Sequence, residues 1–407
     1  MQQTQKTSKK LNKTTLLIAL CWLVYTCSYL GKLGYNANIT QIESVFNVSH
    51  STAGIVSTFF FFAYGIGQVV NGIFCKKYNL KIMVFIALII SGLMNLIVGF
   101  CNNFTLIKYC WLINGGVLAI LYPSLVRALS ESLDKKDLAK AVIAMGTTVA
   151  TGTFLVYALS ALFVAVSSYV ITFILAGVLL PLIAIIWFVS YPKLIQEKVE
   201  VSQEIEQENK VKQPSKIGVL WISIIVLALF AIVDNFVKDG LTTWVPMILK
   251  ETYSLPDYVS ILLTIVLPIL AIFGTSVAVF INKKVKDFVM LSTLLLLGSA
   301  LFIGLVIVCL PTGLFAVTVI SFGIVSCLMA GVNNVITSMA PLYWKDKVNA
   351  GLLAGVLNGF CYLGSTISAY GLGAVADAGG WNVVFWLLFA ILVVAVIIGL
   401  VSFVIKK

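Results

Sequence analysis

Apolar runs of roughly 20 residues recur along the chain, separated by brief polar intervals. Each is long enough to cross the hydrocarbon core of a bilayer. Twelve spans are predicted, at about 14–40, 50–75, 80–101, 104–132, 138–166, 168–190, 216–248, 257–281, 286–309, 312–341, 347–376 and 380–405. A peptide group facing lipid has no water to bond, so these runs are predicted as helices. The alternation expected of barrel strands is absent from the sequence. One polar interval is long. Residues 191–215 mix Glu197, Lys198, Glu204, Glu206, Glu208, Lys210 and Pro214 with no apolar face, which predicts a solvated linker. It separates a six-helix half at 1–190 from a second at 216–407. The expected fold class is all-α integral membrane.

Composition agrees: 60% of residues are hydrophobic and 11% are charged. The net charge of +11 is no nucleic-acid signal, because the basic residues sort by loop. Lys6, Lys9, Lys10 and Lys13 precede span 1, Lys76, Lys77 and Lys81 follow span 2, and Lys135, Lys136 and Lys140 follow span 4. The linker, the intervals after spans 8 and 10, and the C-terminus continue the series. The opposite loops carry only Lys108 and Lys250. Both termini are therefore expected to be cytoplasmic, in a multi-pass protein of the inner (plasma) membrane. No cleavable signal peptide is expected, since the first apolar run is too long for one. Eight scattered cysteines read as small buried residues, with Cys101 and Cys110 close enough in sequence to pair. His50 reads as a solvated helix start rather than a metal ligand.

Two lysines change the picture. Lys32, in Leu30-Gly31-Lys32-Leu33-Gly34, and Lys238, in Phe236-Val237-Lys238-Asp239-Gly240, both lie within apolar spans, about half a chain apart. A cation in lipid costs about 3 kcal/mol on insertion scales. A repeated Lys-x-Gly setting therefore suggests a protein-lined anion site, the alternative being that each lysine snorkels to the headgroups. Lys76-Lys77 after span 2 recurs as Lys283-Lys284 after span 8. Parallel six-helix halves with a site between them describe the major facilitator architecture.

Further stretches carry a closer resemblance. Tyr29-Leu30-Gly31-Lys32-Leu33-Gly34-Tyr35 and Lys238-Asp239-Gly240-Leu241-Thr242-Thr243-Trp244-Val245-Pro246 resemble the helix 1 and helix 7 signatures of the organophosphate:phosphate antiporters. Ala63-Tyr64-Gly65 with Gly72, Tyr122-Pro123 with Arg127, and Ala350-Gly351 through Tyr362-Leu363-Gly364 to Gly380-Trp381 agree. The resemblance implies a rocker-switch exchanger whose paired central cations bind phosphate. Lysine stands at both positions where that family usually has arginine, so bidentate recognition of phosphate is lost. Gln68 replaces the helix 2 lysine of glycerol-phosphate carriers.

Helical spacing adds candidates. Tyr25, Ser28 and Tyr29 share the face of Lys32, and Asp234, Asn235 and Thr242 share that of Lys238. With Gln68 and Tyr362, the expected substrate-binding set is Lys32, Lys238, Tyr25, Tyr29, Asn235, Gln68 and Tyr362. The tyrosines also suit core packing or an interface belt. Asp234 either neutralises Lys238 or carries a proton; Asp239, one residue further round, is expected to point elsewhere. Arg127, which can pair with Glu131, and Lys76 and Lys283 are gating candidates. Helix-end snorkelling serves equally for Arg127, and topology for the two lysines. Gly351, Gly355, Gly359 and Gly364 are expected to permit close helix approach. No nucleotide loop, metal cluster or catalytic triad occurs in the sequence, so an ATP-driven pump, an enzyme and a cofactor are not expected. The expected function is secondary transport of a small organic anion by a monomer, foremost a phosphate ester exchanged for phosphate. A proton-coupled carboxylate symporter, a transporter-like sugar-phosphate sensor and a drug exporter are the competing classes. The exporter needs no paired lysines.

Overall fold

The computed structural model describes residues 2–74, 77–195 and 217–405. Most of the predicted linker, and Lys76, lie outside them. Among the described residues there is helix and no strand. The crossings are span 1 (Lys13–Ala37), span 2 (His50–Asn71), span 3 (Leu80–Phe100), span 4 (Phe104–Ser132), span 5 (Lys136–Val166), span 6 (Val170–Leu194), span 7 (Leu220–Tyr253), span 8 (Asp257–Asn282), span 9 (Phe288–Cys309) and span 10 (Phe315–Tyr343). A final segment, Ala350–Ile405, has 56 residues. At 1.5 Å per residue that is about 84 Å, far beyond a hydrocarbon core of about 30 Å. It is two spans meeting at Gly380, whose φ of 75° and ψ of 175° only glycine adopts readily. The twelve predicted crossings are accounted for, as span 11 (350–379) and span 12 (381–405).

Short polar tokens set where spans begin. The side chain of Asn79 accepts from Lys81 N–H, that of Asn103 from Thr105 N–H and that of Asp287 from Met290 N–H, so donors left open by the first turn are paired. Between spans 1 and 2 a short helix, Ile39–Phe46, ends at Asn47 in the left-handed region (φ 49°). Within the first half, spans 3 and 6 dock through Gly92 against Pro181 and Gly177 against Leu96. Small residues let helices approach where lipid supplies no hydrophobic drive.

The halves meet along spans 2 and 11, 5 and 8, and 1 and 7. The seam between spans 2 and 11 is graded. A Cβ built on Gly373 would stand 2.8 Å from the His50 carbonyl oxygen, and one on Gly54 2.2 Å from that of Ala369. Further along, a Cβ on Gly65 meets Tyr362 at 2.9 Å and one on Gly359 meets Val69 at 3.8 Å. One turn on, Gly355 would meet nothing within 4 Å. The two halves are therefore shut at the face carrying His50 and parted toward the lysine-rich basic face. Of the glycines expected to mediate close approach, only Gly364 does so tightly, against Ile232 of span 7; Gly351 and Gly355 line the parted end.

Candidate functional site

Lys32 is placed by a buried polar network that the sequence pattern does not reveal. Asn114 donates to the Gly31 carbonyl (2.8 Å), Asn95 reaches the same oxygen at 3.5 Å, and Ser91 donates to Asn114 (2.6 Å). Gly31 has no room for a side chain: its Cβ would stand 2.8 Å from both Leu180 and Ser91. Three helices thus fix the backbone one residue before the lysine. The ammonium then lies over aromatic faces, 4.3 Å from the Tyr64 centroid, 5.2 Å from Tyr29 and 5.6 Å from Tyr362. Such contacts are worth about 0.5–2 kcal/mol each, more when water is excluded. Among the described residues Lys32 Nζ has no hydrogen-bonded acceptor and no carboxylate within ion-pair range. Tyr362 belongs to span 11, so the second half supplies part of the wall around a first-half cation.

Lys238 sits in a denser network. Its ammonium donates to Asn235 Oδ1 (2.9 Å). Asn333 of span 10 donates to the same oxygen (3.3 Å) and to Asp234 Oδ2 (2.9 Å). Just after Asn333 the helix widens into a π turn, Val335–Met339, a form frequent at functional sites. Asn235 Nδ2 donates to Asp239 Oδ2 (3.2 Å) and to Ser365 Oγ (3.0 Å), and Ser365 Oγ donates to Asp239. Asp234 is fully buried, and its Oδ1 has no hydrogen-bond partner among the described residues. Lys32, Lys238 and Asp239 lie within electrostatic reach of one another.

Several expectations gain definite positions. Tyr29 flanks Lys32, while Tyr25 packs edge-on against Tyr29 (5.6 Å between centroids) and tilted against Tyr122 (5.1 Å); both tyrosines are buried. Gln68, one turn beyond Tyr64, donates to the Ala119 carbonyl (3.3 Å). The hydroxyls of Ser28 and Thr242 are spent on backbone carbonyls of their own helices. Asp239 corrects the helical-wheel argument: it joins the Lys238 network through Asn235, one turn before it. Arg127 pairs with Glu131 (2.8 Å) and donates to the Tyr78 carbonyl (3.1 Å), both in the first half. Lys283 is exposed, with no ion pair among the described residues.

His50 is not a solvated helix start. Its Nδ1 lies 2.8 Å from Glu43 and its Nε2 3.5 Å from Glu251 of span 7. Its ring packs on Trp381 (5.2 Å) and Trp244 (5.9 Å) of the second half. Trp381 donates to Glu251 (2.6 Å), and Asp377 of span 11 accepts from His50 N–H (3.0 Å) and Ser51 N–H (2.9 Å). Burial pushes the Glu43 carboxyl above its ordinary range, opposed by its hydrogen bond with His50. Asn36 donates to Thr243 (2.7 Å), Tyr157 to the Thr242 carbonyl, and Gln41 to Asp257, each across the halves. Together these contacts seal the face opposite the basic one. Cys101 and Cys110, the candidate pair, are free thiols.

Comparisons with known proteins bear on this arrangement. The family model of the Major Facilitator Superfamily matches residues 21–350. Membrane sensor protein UhpC of Escherichia coli (strain K12) is 28% identical over 98 residues, 24% of this chain and 22% of that protein. The chain thus aligns with about a fifth of that relative's length. A probable hexose phosphate transport protein of Chlamydia pneumoniae is 22% identical over 387 residues, covering 85% of this chain and 82% of the relative. A bacterial homolog of the human lysosomal transporter Spinster, solved inward-facing and occupied, superposes with a TM-score of 0.74 at 15% identity over 95% of this chain and 96% of that one. A D-xylose-proton symporter superposes with a TM-score of 0.74 at 15% identity over 96% and 97%.

Proposed function

The chain belongs to the Major Facilitator Superfamily, and we propose that it is a secondary transporter of a small organic anion, foremost a phosphate ester exchanged for phosphate. The carrying observation is that Lys32 and Lys238, one from each half, lie within electrostatic reach of one another, with Tyr362 of the second half beside Lys32 of the first. An ion there meets ammonium groups and tyrosine rings rather than lipid. Lysine binds phosphate as a point charge. One named relative, a probable hexose phosphate transport protein, points toward a phosphorylated ligand. By the positive-inside rule the basic face is cytoplasmic, so the described conformation opens inward. The halves then rock about the site, and the His50 seal breaks as the basic face closes.

Counterflow in proteoliposomes tests the reading. Vesicles loaded with inorganic phosphate should take up labelled phosphate ester, and unloaded vesicles should not. Binding without any movement would make the protein a sensor instead. One observation favours a second reading, proton-coupled symport: Asp234 keeps an unpartnered oxygen beside Lys238. Uptake into unloaded vesicles that is driven by a pH gradient and lost in Asp234→Asn would establish it.

A further inference from the structure

Asp239 is the carboxylate of the site that is not wholly buried. Asp234 is wholly enclosed, whereas Asp239 is half-buried like Lys32 and Lys238. One oxygen of Asp239 is held by Ser365 of span 11 and Asn235 of span 7. Asn235 in turn receives the Lys238 ammonium, so a single amide joins carboxylate and lysine without letting them form a direct ion pair. Asp239 also lies within electrostatic reach of Lys32, which has no carboxylate within ion-pair range among the described residues. Two anchors on two helices keep this negative charge in place. An arriving anion therefore meets two positive charges and the fixed negative charge of Asp239, with the enclosed carboxyl of Asp234 beside Lys238. Coulomb repulsion from that charge acts once on a monoanion and twice on a dianion.

We propose that Asp239 selects substrates by charge: its anchored carboxylate cancels one unit of the positive charge offered by Lys32 and Lys238, biasing the site toward singly charged anions. The inference rests on the anion-carrier reading and deepens it. Within that reading the species taken up is the monoanionic form of a phosphate ester, or another anion of one charge. The lysines supply attraction, and Asp239 sets how much of it a second negative charge can use.

The test compares sulfate with methanesulfonate, two probes of similar tetrahedral shape that differ by one charge. Their dissociation constants are measured by calorimetry on purified full-length protein, with thermal melting as a check on folding. Removing a unit charge about 10 Å away at an effective dielectric of about 20 changes affinity by roughly tenfold per ligand charge. In Asp239→Asn the affinity for sulfate relative to methanesulfonate should rise by roughly that factor. Asp239→Glu, which keeps the charge, should leave the ratio near the wild-type value. Asp239→Ser removes the charge with a different side chain, and gives the same readout if the asparagine variant folds poorly. An unchanged ratio in the uncharged variants, with both probes still binding, would overturn charge selection and leave the anion-carrier reading intact. If neither probe bound even the wild type, the reading itself would fall and this proposal with it.

Discussion

Replacing Asp377 with alanine should loosen one face of the protein without disturbing the candidate site. Asp377 sits near the end of span 11 and accepts the two first N–H groups of span 2, from His50 and Ser51. It is an N-cap supplied by the opposite half, so it exists only while that face is shut. A capping side chain is worth about 1 kcal/mol, and the positive end of the helix adds about 0.3–1 kcal/mol at an exposed site. A loss of about 1–2 kcal/mol falls on the closed form alone, because water takes over those N–H groups once the halves part. That shifts the equilibrium by roughly five- to thirtyfold. If the open form is ~1% populated in the wild type, it should rise to roughly 5–25% in the variant. Spin labels on the exposed residues Val45 and Tyr258, one from each half, would report the change as a longer distance population. An unchanged distance distribution, accompanied by a lower melting temperature, would show that the cap serves folding alone.

Lys32→Gln or Lys238→Gln should each weaken anion binding by about a hundredfold, as loss of a desolvated charge partner does; the melting temperature should stay level or rise in Lys32→Gln and fall in Lys238→Gln, which strips buried Asp234 of its cation. Counterflow and thermal melting read the two effects separately. Tyr64→Phe should keep Lys32 in place, since the ring face remains, whereas Tyr64→Ala should cost about 1 kcal/mol or more of binding through the lost cation–π contact. Glu43 has a raised pKa in a pocket shared with His50, Glu251 and Asp377. Its contribution to stability should be full below the ordinary glutamate range and be lost as pH rises through the raised value. Glu43→Gln should flatten that part of the melting-temperature profile.

The spans and the interior position of the two lysines are legible because both signals are local. An apolar run declares a crossing by its own length, and a cation inside one marks a candidate site by its cost. The partners were not legible. Ser91, Asn95 and Asn114 look like isolated polar residues in spans 3 and 4, and nothing in their spacing says that they converge on Gly31. Asn333 and Ser365 are similar cases, tied to span 7 only by the packing of the second half. The surroundings of His50 are hidden because Glu251, Asp377 and Trp381 lie far along the chain. Asp239 departs from expectation for a different reason. A helical wheel gives directions from the axis, but Asn235 spans the gap between the Asp239 and Lys238 faces.

The graded seam between spans 2 and 11 also bears on how such a sequence can evolve. Gly54 and Gly373 face backbone so closely that even a methyl group must part the helices there. Gly355 accepts one freely in the conformation described, and any penalty falls on the form in which the basic face is shut. Drift at the two ends of one seam thus pushes the resting population in opposite directions. Selection can tune which side the empty carrier waits on, and hence its response to a gradient, by exchanging hydrogen for methyl far from Lys32 and Lys238.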